Sequence, residues 1–376
     1  GLAGGSLYFG DLNQDEGWYL YAARLVSEGR LPYIDFASTQ APVVAFVYAL
    51  AQPLVDAWGV AGGRAFTAIL GILGLFAAAG LAARMAPAGR GLVAASIALA
   101  LAGINVYQSY FTTIVKTYSL AGLWLVLGFL ALALAAQRRR AWPAFLAGVL
   151  AALAAGTRVS AAAAVPGIFL ALLIMARREG SALWMKASVA FLAGAVLAAG
   201  LIFLPFAIRA PQGLWFALVE YHSGREAGGL VQSLAYKAGF IARMTNAYLV
   251  PIALGLMAAA GLFLARGRRG VPAAGARAEA EPAPLAAALW LTLLGVSLVH
   301  FIAPFPYDDY QVMLFPLFAA GVAVLVERAG RLSFPACEEE ARAGGSARDM
   351  VLLGTVLLLC LSAAGSSPML QDWFAG

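Results

Sequence analysis

The sequence DLNQDEGWYLYAARLVSEGRLPYIDFASTQAP fills residues 11–42 and is the one long polar stretch near the start of an otherwise almost continuously apolar chain. We interpret it as a solvated loop on a membrane protein. Asp15 and Glu16 open a short amphipathic helix in it. The apolar residues of this helix recur at helical spacing: Trp18, Tyr21, Ala22, Leu25 and Val26. Asn13 precedes Glu16 by three residues, so the pair can form a capping box.

The composition of the chain assigns it to a broad class. Of its 376 residues, 62% are hydrophobic and only 12% are charged, and the mean hydropathy is +0.83. A soluble domain carries about 25% charged residues, so the sequence predicts an integral, all-α membrane protein.

Partners and cofactors are constrained by the polar residues. The net charge of +6 is spread over loops rather than gathered on one face, so it favours membrane topology over a nucleic-acid partner. With two cysteines and two histidines, the chain has no spacing typical of a structural metal site. We predict no cofactor and leave a divalent metal open. P-loop, GxSxG, HExxH and Rossmann motifs are absent from the sequence.

About ten apolar stretches are long enough, or nearly so, to cross a bilayer. They are residues 60–83, 91–110, 114–136, 141–156, 160–176, 186–208, 248–265, 285–303, 311–326 and 350–365. The sequence therefore predicts one polytopic transmembrane domain over residues 1–376. The chain begins with Gly1 and shows no signal peptide, so we expect one more span upstream.

Basic residues fall in alternate loops, which places those loops on the cytoplasmic side. The short apolar run 43–58 contains Pro53 and is expected to be interfacial or re-entrant rather than spanning. A spanning helix there would instead put the acidic loop in the cytoplasm. On the preferred topology, 11–42 and 209–247 are periplasmic loops, and 266–284 and 329–349 are cytoplasmic linkers.

Three cations lie toward the outer ends of predicted spans, at Arg64, Lys116 and Arg158. Ionisable residues in spans are costly and often functional, and such a cluster can bind a phosphate. The alternative is that their long side chains snorkel, so that the charged groups reach the membrane–water interface. The turn with Asp308 and Asp309 offers too few oxygen ligands for a hydrated metal ion.

Several ordered motifs resemble one family of membrane enzymes. They are DE at 15–16, SEGRLPYIDF at 27–36, GGRAF at 62–66, AWPAFLAGVLAALAAGTRVSA at 141–161 and YDDYQVMLFPLFAAGVAVL at 307–325. Together they resemble GT-C glycosyltransferases, in particular the bacterial group with the protein O-mannosyltransferases and lipid A aminoarabinose transferases. The resemblance implies a GT-C-like bundle with amphipathic helices in its first outer loop.

The same resemblance implies a sugar transfer from a polyprenyl phosphate to a lipid, glycan or protein acceptor, on the periplasmic side of a bacterial cytoplasmic membrane. It gives the catalytic base to Asp15, with Glu16 as second choice. The donor phosphate would be bound by Arg158, Lys116, Arg225 and His222. Other polar residues of the outer segments are expected to contact substrate: Tyr19, Tyr33, Asp35, Gln40, Asp308, Asp309 and Tyr310. Where many relatives carry a second acid, YFTTIVKTYSL at 110–120 has Lys116.

Two other functions stay open. A transporter or lipid flippase would place charges along a path through the membrane midplane, whereas the ionisable residues here crowd toward one face. A polysaccharide polymerase or ligase would share the polytopic form and a large outer loop. Its substrate would be a lipid-linked oligosaccharide.

Overall fold

The computed structural model describes residues 1–224, 228–268, 283–333 and 346–375. Helices dominate this part of the chain. The first nine are α1 Leu2–Phe9, α2 Gln14–Ser27, α3 Val43–Ala49, α4 Gln52–Trp58, α5 Val60–Met85, α6 Gly91–Gly103, α7 Val106–Phe111, α8 Tyr118–Arg138 and α9 Trp142–Thr157. The others are α10 Ala164–Glu179, α11 Ala182–Arg209, α12 Pro211–Trp215, α13 Tyr221–Ser223, α14 Leu230–Ala247, α15 Leu249–Arg268, α16 Ala283–Ile302, α17 Phe315–Ser333, α18 Ser346–Gly365 and α19 Pro368–Ala375.

Six helical segments within the described ranges are long and apolar enough to cross a membrane. A seventh span is possible if α14 and α15, which bend by 84° at their junction, are counted together. The shorter apolar helices α6 and α9 pack among them. Each of the ten predicted stretches contains a helix. The predicted all-α, multi-pass class is therefore confirmed.

The centre of the bundle is built on close backbone contact. Helix α9 packs between α8 and α11. A Cβ atom on Gly148 of α9 would lie 2.0 Å from the carbonyl oxygen of Phe191, and one on Gly194 of α11 would lie 2.1 Å from that of Phe145. In lipid, where apolar burial gives little drive, such close approach of small residues stabilises helix pairs.

The run 43–58 folds as α3 and α4, two helices of seven residues each. Neither is long enough to cross a membrane, which agrees with the non-spanning prediction for this run. Helix α3 packs on α2, and α4 packs on both α2 and α5. The two short helices therefore hold the loop of residues 11–42 against the bundle.

Polar contacts between side chains also link several helices of the bundle. Arg90, which precedes α6, donates two hydrogen bonds of 2.6 Å to Asp349 and one of 2.7 Å to Glu327. Arg84 donates to Gln137 at 2.8 Å. These contacts join helix ends, and the loop before α6, that the sequence assigns to one side of the membrane. Most of the two predicted linkers, residues 269–282 and 334–345, lies outside the described residues.

Candidate functional site

Helix α2 is fixed to the bundle by a buried ion pair between Glu16 and Arg64 of α5. Arg64 Nε lies 2.8 Å from Glu16 Oε1, and Arg64 Nη2 lies 2.6 Å from Oε2. The same guanidinium donates to the backbone carbonyls of Gly10 and Asp11. Glu16 also closes the expected capping box with Asn13 and accepts from the Val115 N–H at 3.1 Å.

This pairing determines which role suits Glu16. Burial raises the pKa of its carboxyl group, but hydrogen bonds from Arg64 and from the backbone N–H groups of Asn13 and Val115 lower it more, so the net pKa is lowered. Both oxygens are occupied and the side chain is 2% exposed. The geometry therefore gives Glu16 a structural role and leaves Asp15 as the more exposed of the two predicted acids. Arg64, engaged by Glu16, is not available to an anion.

The predicted apolar face of α2 is wrong. Trp18 and Tyr21 are 51% and 63% exposed, and only Leu25 of the predicted stripe is buried. The buried face instead carries Glu16, Tyr19, Leu20 and Ala23, which follow the spacing i, i+3, i+4 and i+7. The pair with Arg64 turns the helix, because a buried carboxylate must face its cation.

Lys116 connects two carboxylates from distant parts of the chain. Its ammonium nitrogen lies 3.2 Å from Asp15 Oδ2 and 2.9 Å from Asp309 Oδ2. Burial lowers the pKa of Lys116, but the charges of Asp309 and Asp15 raise it more, so the net pKa is raised. Lys116 is therefore cationic at neutral pH. Asp15, with a side chain 48% exposed, is the open member of the group.

Arg158 lies beside this group, at the break between α9 and the 3₁₀ segment Val159–Ala163. Its guanidinium carbon is 4.2 Å from the ring centre of Tyr310 and 5.0 Å from that of Tyr118. It donates to Thr117 at 3.2 Å, while its buried Nε has no hydrogen-bond partner among the residues that the structure describes. Arg158 is thus held by aromatic rings and keeps an unused N–H. We call Asp15, Lys116, Arg158 and Asp309 the charged centre.

Tyr19 of α2 lies close to the charged centre. Burial raises the pKa of its hydroxyl, Arg158 lowers it, and the carboxylates of Asp15 and Asp309 raise it again, so the net pKa is raised. Tyr19 therefore stays neutral at physiological pH. It can donate a hydrogen bond to an anion or to a sugar oxygen.

The paired acids 308 and 309 serve different partners. Asp309 contacts Lys116, whereas Asp308 accepts from Tyr107 at 2.5 Å and from Arg243 of α14 at 2.8 Å. Both lie in the 3₁₀ segment Asp308–Met313, which also carries Tyr310. The segment therefore joins the charged centre to α14.

Other predicted residues lie away from the charged centre and make local contacts. The Tyr33 hydroxyl donates to the Gln40 carbonyl, and Tyr33 packs edge-on against Phe206. Asp35 accepts from the Leu31 N–H at 2.7 Å. These bonds shape the turn of the first loop. Exposed His222 contacts the Thr39 carbonyl at 3.2 Å, and Arg225 lies outside the described residues.

Sequence reasoning missed the aromatic and hydroxyl residues that hold the cations. Tyr118 and Phe111 flank Lys116 at 5.6 and 5.5 Å, and Thr117 bonds Arg158. Tyr118 and Thr117 stand within two residues of Lys116 in the sequence. An aromatic residue next to a cation at the end of a predicted span is the signal that would have found Tyr118.

A crevice of about 210 Å³ runs between α5, α7 and α8 and is lined by Tyr118. Asp15, Lys116 and Arg158 do not line it, but Tyr118, which contacts both Lys116 and Arg158, does. Within the described ranges, no three His, Cys, Asp or Glu side chains are grouped to hold a metal ion.

The fold was compared with those of known proteins. No protein-family model matches the chain, and no curated protein matches it. Two crystal structures of ArnT from Cupriavidus metallidurans do share its fold. The structure bound to undecaprenyl phosphate gives a TM-score of 0.63 at 15% identity, covering 97% of this chain and 74% of that one. The apo structure gives 0.61 at 15% identity, covering 94% and 71%. The chain therefore has a GT-C-like fold.

Proposed function

We propose that the chain is an inverting glycosyltransferase that moves a sugar from a polyprenyl-phosphate donor to an acceptor at the outer face of the membrane. The shared fold supports this proposal, as does the undecaprenyl phosphate bound by the ArnT relative in fold. The observation that carries it is the charged centre. A half-exposed carboxylate there lies 3.2 Å from a buried ammonium group, with Arg158 beside them.

The chemistry follows from these groups. Asp15 takes the proton of the acceptor hydroxyl as its oxygen attacks the anomeric carbon. The bond from that carbon to the phosphate oxygen breaks, and the electron pair leaves with the polyprenyl phosphate. Lys116 and the free N–H of Arg158 stabilise the negative charge that grows on the departing phosphate. The proton on Asp15 is then released to solvent.

The exposure of Asp15 and the burial of Lys116 suit their proposed roles as base and as stabiliser of the leaving phosphate. A base must reach an acceptor arriving from outside, and Asp15 is the most exposed member of the charged centre. Cations that stabilise a leaving group act more strongly where water is excluded, and the Lys116 side chain is 9% exposed. The donor would approach from the membrane and the acceptor from the outer solvent.

The test uses the purified chain in nanodiscs, with a set of undecaprenyl-phosphate donors carrying radiolabelled pentoses or hexoses. Lipid, glycan and peptide acceptors are supplied together. We expect label to pass to one acceptor class, with undecaprenyl phosphate released in equal amount. Movement of an intact lipid across proteoliposomes without bond formation would instead make the chain a transporter. Transfer of a preassembled oligosaccharide would make it a polymerase or ligase.

A further inference from the structure

Two short 3₁₀ segments carry much of the charged centre. The segment Val159–Ala163 directly follows Arg158, and the segment Asp308–Met313 contains Asp309 and Tyr310. Neither segment has the regular hydrogen bonds of an α-helix, so other contacts must hold the two segments in their relative positions. The position of the Arg158 guanidinium depends on this arrangement, because the guanidinium packs on the Tyr310 ring.

His300, in the last turn of α16, contacts both segments. One ring nitrogen, Nε2, lies 2.8 Å from Ser160 Oγ. The other, Nδ1, makes a longer contact of 3.4 Å with Gln311 Nε2. The histidine is 2% exposed. It therefore links the segment behind Arg158 to the segment that carries Asp309.

The hydrogen bonds fix the state of the ring. The Gln311 carboxamide oxygen accepts from Ser297 at 3.0 Å, so its nitrogen faces His300 and can only donate. Nδ1 must accept, and the proton of a neutral ring then lies on Nε2, which donates to Ser160. Hydrogen bonds therefore link four side chains in series: Ser297, Gln311, His300 and Ser160. The neutral His300 ring adds no charge near Arg158.

The His300 ring also supports the ring on which Arg158 packs. The ring centres of His300 and Tyr310 are 5.4 Å apart. We propose, on the basis of the function proposed above, that His300 is a positioning residue. It holds Arg158 and Tyr310 at the separation at which they bind the donor phosphate. It touches neither the sugar nor the acceptor.

The experiment separates the two hydrogen bonds of His300, which we call its Ser160 arm and its Gln311 arm. His300→Phe keeps a ring against Tyr310 but removes both hydrogen bonds. Gln and Asn place a polar atom near the positions of Nε2 and Nδ1 respectively, so His300→Gln keeps the Ser160 arm and His300→Asn keeps the Gln311 arm. We expect His300→Phe to raise KM for the donor about tenfold to a hundredfold with KM for the acceptor unchanged. His300→Gln and His300→Asn should each recover part of the loss.

A double variant and a matched control complete the design. Ser160→Ala should weaken donor use in the wild type but add nothing in the His300→Phe background, because the two residues act through one contact. Thr292→Val removes another buried hydroxyl of α16 and should leave both KM values unchanged. If His300→Phe does not fold, the partial variants and Ser160→Ala carry the test.

Unchanged donor KM in His300→Phe, or an equal loss for donor and acceptor that follows the folded fraction, would overturn the proposal. A structure of His300→Phe gives a readout independent of activity. We expect the Arg158 to Tyr310 distance, now 4.2 Å, to increase, and an unchanged distance would contradict the positioning role. If the wild type transfers no sugar at all, the proposed function fails, whereas this structural readout still tests the link.

Discussion

The ammonium nitrogen of Lys116 lies 2.9 Å from Oδ2 of Asp309, although 193 residues separate the two in sequence. Asp309 thereby brings a second acid to the point where the first outer loop presents Asp15. Lys116 thus lies between the proposed base and a partly buried carboxylate. Its loss is expected to affect both activity and stability.

Lys116→Met should lower kcat/KM for the donor by about 10²- to 10³-fold, because one cation no longer faces the leaving phosphate. It should also destabilise the protein by about 3 kcal/mol, since Asp309, whose side chain is only 13% exposed, loses its cation. The double variant Lys116→Met, Asp309→Asn should recover the stability but not the activity. Kinetics and thermal unfolding measure the two effects. Near-normal donor use in Lys116→Met would argue against its role.

Glu16→Gln should destabilise the protein by about 3–5 kcal/mol at neutral pH, because Arg64 loses a buried partner. The folded-state pKa of Glu16 is lowered, so its contribution is fully present above the ordinary value of 4.5. It is lost as pH falls through the folded-state pKa. Thermal unfolding of wild type and variant from pH 7 to pH 3 should therefore converge at the acid end. A gap that widens toward low pH would refute the pairing.

The sequence is sufficient to predict features that depend on residues close together in the chain. The capping box was readable because Asn13 and Glu16 are three residues apart, and Arg158 was placed at a helix break because glycine and polar residues interrupt the apolar run there. The Glu16–Arg64 pair spans 48 residues and was not readable. The rotation of α2 depends on that pair, so the exposed positions of Trp18 and Tyr21 were missed for the same reason.

The turn at 307–310 shows a second limit. Two adjacent acids read alike in sequence, yet Asp309 faces Lys116 while Asp308 faces Tyr107 and Arg243. A 3₁₀ turn points neighbouring side chains about a third of a turn apart, so their partners depend on which helices pack on each side. That packing is a tertiary property, which local sequence does not encode.

Arg158→Lys should reduce kcat/KM for the donor about tenfold to a hundredfold. An ammonium group keeps the charge but not the planar stacking on Tyr118 and Tyr310, nor the several N–H donors of the guanidinium. Arg30→Lys, on an exposed residue of the first loop, serves as the matched control. Steady-state kinetics with varied donor concentration give the comparison. Equal donor KM in Arg158→Lys and wild type would count against phosphate binding by Arg158.

The proposed orientation is testable by cysteine labelling. In a background with Cys337→Ser and Cys360→Ser, Glu28→Cys reports on the first outer loop and Arg139→Cys on the turn between α8 and α9. Both positions are exposed. We expect a membrane-impermeant maleimide to label Glu28→Cys in intact spheroplasts and Arg139→Cys only after permeabilisation. The reverse pattern would place the charged centre in the cytoplasm.

The central claim is that the Asp15 carboxylate accepts the acceptor's proton during sugar transfer. The most direct measurement is the single-turnover transfer rate of Asp15→Asn beside that of Asp56→Asn, an exposed acid of α4 that accepts a hydrogen bond from Gln52. We expect Asp15→Asn to lose about 10²- to 10⁴-fold in rate while it stays folded and binds the donor, and Asp56→Asn to match the wild type. Transfer by folded Asp15→Asn at the wild-type rate would contradict the mechanism.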